Sequence, residues 1–254
     1  MYCFKLNSNN NIIFGIQKVI IFKNNPNTLR MRDNIFMKTL AVALIYFLLR
    51  FMGGSFGEKI LYPITLLVAF LHEFGHAFGA AITGGSIKGV QINANGSGVT
   101  TTAGGSTAIT LLGGYIGSAI FGNILFYIGV RLPKYHRITL VFLGGLMAFA
   151  GIFWFESWSS TAILVIYGVL LYFIARHADW PGWALMFFGL ASILYIIQDF
   201  KFGPSSDLQH FEEVVGFFPA TVWMYIWLIF VVIMFFYNLR FIFGNSGLLK
   251  KITW

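Results

Sequence analysis

Charged side chains are scarce in this sequence: Asp, Glu, Lys and Arg make up 10% of its 254 residues. A soluble domain carries about 25%, so the shortage excludes an ordinary globular domain as well as a disordered or collagen-like chain. Hydrophobic residues make up 57% of the sequence, and the mean hydropathy is +0.76. This composition indicates a polytopic membrane protein.

Cysteine is nearly absent, and no basic surface pattern is present. The single cysteine, Cys3, excludes a disulfide framework within the chain and a metal site built from several cysteines. The formal net charge is +8, but the basic residues lie between long uncharged runs, as loop charges do in membrane proteins. Because no basic stripe is interleaved with aromatic residues, we expect no nucleic-acid partner.

Seven hydrophobic segments predict an all-α membrane protein with about six to seven transmembrane helices. A span needs about 20 apolar residues to cross the hydrocarbon core, and the first and fifth segments are short by this measure. The segments are residues 37–52, 60–83, 107–130, 138–155, 161–175, 182–199 and 219–239.

The two ends of the sequence differ in composition from its middle. Residues 1–36 are rich in asparagine and lack the long apolar region of a signal peptide. We expect an extension here that precedes the membrane domain, with a surface-lying amphipathic segment as the alternative. The membrane domain is then expected to cover residues 37–244, and residues 245–254 to form a basic tail.

A short stretch of different composition, residues 84–106, separates the second and third hydrophobic segments. Two β-prone runs, residues 87–93 and 99–102, flank a turn that contains Asn95 and Gly96. This pattern is typical of a β-hairpin. We therefore expect a small hairpin directly after the second segment, where its edge at residues 86–102 could hold an extended peptide by strand addition.

The third hydrophobic segment contains small residues at helical spacing and one asparagine. Gly113 and Gly117 form a G-x-x-x-G pattern, which allows another helix to approach closely. Packing within the bundle and a dimer interface are both compatible with it. Asn123 is the only asparagine between Asn95 and Asn238, and it is a candidate either for hydrogen bonding to substrate or for a polar contact between helices.

The second segment contains the clearest chemical signal. Between Lys59 and Lys88 the only ionisable side chains are His72, Glu73 and His76, in an H-E-x-x-H pattern. Residues four apart share a helix face, so the two histidines can bind one metal ion. Glu73 projects about 100° away from His72, where it can act as general base on water. The alternative is a pair of core histidines hydrogen-bonded to Glu73.

A catalytic zinc ion usually has three protein ligands and one open position, so a further donor is required. Asp199 is the first candidate, because it ends the apolar segment 182–199. The second and sixth segments run in the same direction, which brings Asp199 and His76 toward the same membrane face. An interfacial helix-end carboxylate is the alternative role for Asp199. Asp207, in a loop-like stretch, is the second candidate, although for this residue we favour a helix-capping or loop role. The other donors considered are His136, Glu156, His177, Asp179 and His210.

Together these patterns resemble the site-2 protease family of intramembrane zinc metallopeptidases, and in particular its B-like branch, which is common in bacteria. The resemblance covers roughly residues 60–230. It rests on the H-E-x-x-H pattern, the Gly-rich stretch 98–105, the late Asp199, and the sequences Ser206-Asp207 and Pro219-x-x-x-Trp223. The Leu-Asp-Gly motif and the PDZ-like insertion of other members are missing from this sequence.

The resemblance implies a hydrolase that cleaves membrane-embedded or membrane-proximal proteins with one Zn²⁺ ion. It implies His72, His76 and Asp199 as metal ligands and Glu73 as the general base. The implied partners are the lipid bilayer and a membrane protein or peptide substrate, and the implied location is a bacterial inner membrane. A catalytically inactive, metal-binding scaffold of the same family is the alternative. A transporter or channel usually shows paired repeats, which this sequence lacks.

Overall fold

The structure, a computed structural model, describes residues 26–200 and 203–243. Cys3 and the expected basic tail lie outside these ranges. The helices, in chain order, are α1 (Pro26–Phe47), α2 (Gly54–Ile82), α3 (Thr107–Leu112), α4 (Ser118–Arg131), α5 (His136–Phe153), α6 (Trp158–His177), α7 (Pro181–Asp199), α8 (Ser206–Val215) and α9 (Ala220–Phe243). The strands are β1 (Ser86–Ile92) and β2 (Gly98–Ala103).

Three short helical turns complete the described chain. They are the π-helical turns Leu48–Met52 and Gly113–Gly117 and the 3₁₀ turn Pro133–Tyr135. The second π-helical turn joins α3 to α4, and the two helices together form one candidate membrane span, Thr107–Arg131.

The chain divides into two compact units between Ala41 and Val42. The boundary that we predict between residues 36 and 37 lies inside α1 and stays a prediction. All the side chains that form the candidate site belong to the second unit.

Among the described residues, five helical segments are long and apolar enough to cross a membrane. A sixth, shorter apolar helix covers Pro181–Ile196. These helices confirm the predicted all-α membrane protein, and the two-stranded sheet confirms its small hairpin. The segment 37–52 is not among the five, because its helix, α1, ends at Phe47 and contains four charged residues, the last of which is Lys38. The five segments are Gly54–Ile82, Thr107–Arg131, Pro133–Phe153, Trp158–His177 and Ala220–Phe243.

Helix α2 is the most buried of these spans, whereas α9 is the most exposed. The backbone of α2 touches the turn between α3 and α4. A Cβ atom on Gly75 would lie 2.0 Å from the carbonyl oxygen of Gly113, and one on Gly113 would lie 2.2 Å from that of Gly75. Such distances leave no room for a side chain, so the small-residue spacing of the third segment does allow close helix approach.

The hairpin forms where the sequence pattern predicts it. Strands β1 and β2 pair antiparallel, with Val90 opposite Thr100 and Ile92 opposite Gly98. The outer edge of β1 is partly covered, because Val90 N donates to the carbonyl of Trp154 at 3.0 Å. Further along this edge, Ile92 N donates to the Ser160 hydroxyl at 2.8 Å.

Candidate metal centre and catalytic site

Helix α2 presents the two histidines on one buried face. His72 and His76 are one turn apart and are 7% and 8% exposed, and their ring centroids lie 4.7 Å apart. Their Nε2 atoms are 3.1 Å from each other. Both imidazoles therefore direct the same nitrogen toward one point, as the four-residue spacing predicts.

A carboxylate from α8 completes this group. Asp207 Oδ2 lies 3.1 Å from His72 Nε2 and 3.2 Å from His76 Nε2. The three atoms form a nearly equilateral triangle. Among the described residues, a group of possible metal-binding side chains consists of these three: His72, His76 and Asp207.

The three donor atoms suit a tetrahedral zinc ion. Zinc binds imidazole nitrogen and carboxylate oxygen at about 2.0–2.2 Å, which places neighbouring ligand atoms roughly 3.3 Å apart. The separations of 3.1–3.2 Å here are close to that value. Lone pairs on three such atoms repel at this distance unless a cation or a shared proton lies between them. Three protein donors also leave the fourth position of a catalytic site open.

Apolar anchoring of α8 brings Asp207 to the histidines. Asp207 lies in the first turn of the helix, where the helix dipole favours a negative charge. Leu208 and Phe211, three residues apart, are both buried. The ring of Phe211 packs at 4.9 Å from Trp223 and 5.1 Å from Trp227 of α9, so the helix is held by its apolar face while its first turn faces α2.

The charge of Asp207 is set by two opposing effects. Burial alone would raise the pKa of this carboxyl. Hydrogen bonds to His72 and His76, together with their charge, outweigh burial and hold the pKa of Asp207 well below its usual value. At neutral pH Asp207 is therefore a carboxylate, as a metal ligand has to be.

His76 has its second nitrogen fixed by the backbone. Its Nδ1 lies 2.8 Å from the carbonyl oxygen of Thr110 in α3. A proton on Nδ1 donated to this carbonyl fixes the ring with Nε2 directed at Asp207, and most metal-binding histidines are held through their second nitrogen in this way. The sequence pattern carries no signal for this contact, because the partner is a main-chain atom.

Glycine 114 leaves space over the two imidazoles. A Cβ atom at this position would lie 2.5 Å from His76 Nε2 and 2.7 Å from His72 Cε1. Only a residue without a side chain fits beside the group in this arrangement.

Glu73 is buried between α2 and the hairpin, with 6% of its surface exposed. Its Oε2 accepts a hydrogen bond of 2.7 Å from the Thr100 hydroxyl. Gly98 adjoins the same side chain, since a Cβ there would lie 2.4 Å from Glu73 Cγ. The Glu73 carboxylate also acts electrostatically on His76. Strand β2 thus holds Glu73 close to the histidines, and Thr100 is a site residue that the pattern alone did not single out.

The structure does not bring Asp199 into the metal-binding group. Its carboxylate instead accepts a hydrogen bond from the Tyr115 hydroxyl. Asp207, the second candidate of the sequence analysis, takes the place that we expected for Asp199. Helix α7 already passes His72 at Tyr195, and one turn further on the Tyr115 hydroxyl binds the Asp199 carboxylate. Helix α8 instead brings Asp207 to both imidazoles. The group also contains none of the other five candidate donors.

Asn123 makes a contact between helices. Its Nδ2 donates to the Ala119 carbonyl at 2.9 Å, and its Oδ1 accepts a hydrogen bond of 2.8 Å from Asn238 Nδ2. The amide therefore joins α4 to α9, and this is the second of the two roles considered from the sequence.

A cavity of about 430 Å³ is lined by residues of α2 and α7 and by the hairpin turn. Leu61, Thr65 and Val68 of α2 line it, and the same helix face continues to His72. From α7, Tyr195 and Asp199 line the cavity. The Tyr195 ring also packs against His72, with centroids 5.5 Å apart. The cavity thus extends from the hairpin turn, at Asn95, to the tyrosine that packs against His72.

Comparison with known proteins agrees with this geometry. A model of the peptidase M50B-like family matches residues 37–238, which is more than half of the chain. No curated protein and no solved structure matches it. The matched range contains the H-E-x-x-H helix, the hairpin and Asp207. This chain therefore belongs to the peptidase M50B-like family, the B-like branch of the site-2 protease family of intramembrane metallopeptidases.

Proposed function

We propose that this multi-pass membrane protein is a zinc-dependent endopeptidase that cleaves membrane-embedded or membrane-proximal proteins. The observation that carries the proposal is the convergence of His72, His76 and Asp207 on one point, with the buried carboxylate of Glu73 beside them. We propose these three residues as the zinc ligands and Glu73 as the general base. Family membership supports the hydrolase class.

In the proposed reaction, Glu73 accepts the proton of the attacking water and passes it to the leaving amine. Zinc supplies the Lewis acid that lowers the pKa of water toward neutrality and polarises the scissile carbonyl. Thr100 orients Glu73 by donating to its Oε2. Gly98 leaves the space that the carboxylate occupies. We propose that water and substrate approach the reacting atoms through the cavity beside Tyr195.

The free edge of β2 suits an extended substrate. In an antiparallel pair, the N–H and C=O of one residue point to the same side. Val90 and Ile92 direct these groups away from β2. Their partners Thr100 and Gly98 therefore direct theirs to the opposite, outer edge. Because every second residue of a strand directs these groups to the same side, Thr102 also directs its N–H and C=O to the outer edge.

Among the described residues, no backbone hydrogen bond covers this edge outside the sheet. A substrate strand added there would run past Thr100, whose side chain contacts Glu73. Main-chain hydrogen bonds of this kind hold peptides in many strand-addition complexes. We therefore propose that β2, rather than β1, binds the substrate in the unwound form that cleavage requires.

Replacing Thr102 by proline tests the role of this edge. Proline removes an outward N–H while it leaves the hydrogen bonds between β1 and β2 in place. Losing one hydrogen bond of about 1 kcal/mol is expected to raise KM roughly fivefold with little change in kcat. The measurement is the steady-state cleavage of fluorescein-labelled casein by the purified protein in detergent micelles.

Thr102→Val is the matched control, because it keeps the backbone N–H and removes the hydroxyl. It is expected to retain the wild-type KM. If the valine variant raises KM as much as the proline variant, the side chain rather than the edge is responsible, and strand addition at β2 is wrong.

Removal of the metal tests the proposed function itself. After treatment with a chelator and dialysis, the protein is expected to lose casein cleavage and to regain it with one Zn²⁺ ion per chain. Mg²⁺ prefers an octahedral set of oxygen ligands and is expected to restore nothing. Cleavage that survives complete metal removal, verified by elemental analysis, would contradict the proposal.

A further inference from the structure

The two histidines of the metal-binding group differ in how their rings are fixed. His76 Nδ1 is hydrogen-bonded to the Thr110 carbonyl. His72 Nδ1 is buried and has no hydrogen-bond partner among the described residues. Metal-binding histidines almost always use the second nitrogen to fix the ring plane. His72 therefore needs a different means of orientation.

Two tyrosine rings pack against His72, where a hydrogen bond to Nδ1 would otherwise fix the ring. Tyr115 meets the imidazole at 4.5 Å between centroids with an interplanar angle of 76°. Tyr195 meets it at 5.5 Å and 75°. Edge-on contacts of this geometry are favourable between aromatic rings. The two tyrosines are themselves stacked at 5.8 Å with an angle of 17°, so they form one continuous aromatic wall beside His72.

The position of Tyr115 is in turn fixed by Asp199. Tyr115 is 3% exposed, and its hydroxyl donates to the Asp199 carboxylate. Asp199 follows Tyr195 by four residues in α7, so both lie on one face of that helix. One face of α7 therefore supplies two residues: Tyr195, whose ring touches His72, and Asp199, whose carboxylate holds Tyr115.

We propose that the Tyr115–Asp199 pair is a positioning device for His72, which takes the place of the missing hydrogen bond at Nδ1. The inference rests on the proposed metal-binding function. Asp199 acts on the metal through Tyr115 and then His72, and it is not a ligand. This assigns a role to a carboxylate that the proposed cleavage chemistry does not use.

Cobalt binding to the purified full-length protein tests this role without a substrate. Co²⁺ occupies zinc sites and reports ligand geometry through its visible absorption. Tyr115→Phe keeps the ring and removes the hydroxyl, whereas Asp199→Ala removes the acceptor. Each is expected to weaken Co²⁺ affinity about 10- to 100-fold and to shift the absorption band of the bound form. The double variant is expected to bind no more weakly than either single variant, because both remove the same hydrogen bond.

Two further variants serve as controls. One separates positioning by Asp199 from direct metal binding by Asp199, and the other tests whether removing any tyrosine hydroxyl weakens Co²⁺ binding. Asp199→Asn keeps an oxygen that can accept from Tyr115 but is a poor metal ligand, so it is expected to bind Co²⁺ nearly as tightly as the wild type. Tyr172→Phe also removes one phenolic oxygen, but from an exposed side chain of α6, and is expected to change nothing.

Several results would overturn the inference. Unchanged affinity in Asp199→Ala would remove Asp199 from the site, and additive losses in the double variant would show two independent effects. A loss in Asp199→Asn as large as that in Asp199→Ala would make Asp199 a ligand. A different result identifies failure of the proposed function: wild-type protein that binds no Co²⁺, or that binds it equally well after His76→Ala.

Discussion

Glu73→Gln is expected to leave the protein with its metal and without its peptidase activity. Glutamine has the shape of glutamate and can still accept a hydrogen bond from Thr100, whose hydroxyl lies 2.7 Å from Glu73 Oε2. It cannot accept a proton from water at neutral pH. Because general-base catalysis contributes about 10²- to 10⁴-fold, we expect casein cleavage to fall by a factor in that range.

The metal content and the rate should be measured on the same preparation. Zinc is expected to remain at one ion per chain, since Glu73 is not a member of the ligand group. Glu213→Gln makes the same substitution at an exposed position of α8 and is expected to keep the full rate. If Glu73→Gln cleaves at the wild-type rate, Glu73 has no part in the reaction and another group has to be the general base. A wild-type protein that binds zinc and cleaves nothing would instead favour a metal-binding scaffold.

Gly114→Ala is expected to weaken metal binding and, with it, cleavage. The added Cβ would lie 2.5 Å from His76 Nε2 and 2.7 Å from His72 Cε1, which is closer than real Cβ contacts come. Both imidazoles would have to turn away, although the hydrogen bond to the Thr110 carbonyl holds His76 in its present plane. We expect the zinc affinity to fall by at least about tenfold.

Gly145→Ala provides the matched control within another membrane helix. A Cβ at Gly145 has no neighbour within 4 Å, and alanine favours helix over glycine by about 1 kcal/mol. Metal titration should therefore show wild-type affinity for Gly145→Ala and a loss for Gly114→Ala. Equal affinities in the two variants would mean that the imidazoles do not occupy the observed positions when metal is bound.

Features that depend on residues near one another in sequence could be predicted without the structure. The relation of His72 to His76 follows from helical spacing alone. The hairpin follows from two β-prone runs around Asn95 and Gly96, and the structure places its strands at 86–92 and 98–103. In both cases the local pattern and the tertiary structure favour the same conformation.

The carboxylate that joins the two histidines could not be identified from sequence, because its position depends on a change of chain direction. Asp199 ends a long apolar run and is therefore the more conspicuous acid. The chain then turns near Gly203, whose φ of +107° suits glycine, and α8 carries Asp207 back to α2. A signal that could have pointed to Asp207 is the pair Leu208 and Phe211, whose three-residue spacing is compatible with a short helix that buries one face.

Tyr115 shows a second limit of sequence interpretation. In a chain with 19% aromatic residues, one more tyrosine in an apolar segment carries no visible information. Its importance becomes apparent only once its hydroxyl is seen on Asp199 and its ring against His72. Contacts between residues 84 positions apart depend on how the helices pack together, which local periodicity does not specify.

The distance along the chain between the donors has a consequence for biosynthesis. Asp207 follows His72 by 135 residues, and the helices between them have to be inserted before α8 can fold against α2. A nascent chain on the ribosome therefore carries the two histidines long before it carries their carboxylate partner. Until α8 has left the ribosomal tunnel, the growing polypeptide has only two of the three donors, so a newly made molecule cannot assemble the complete ligand set before that point.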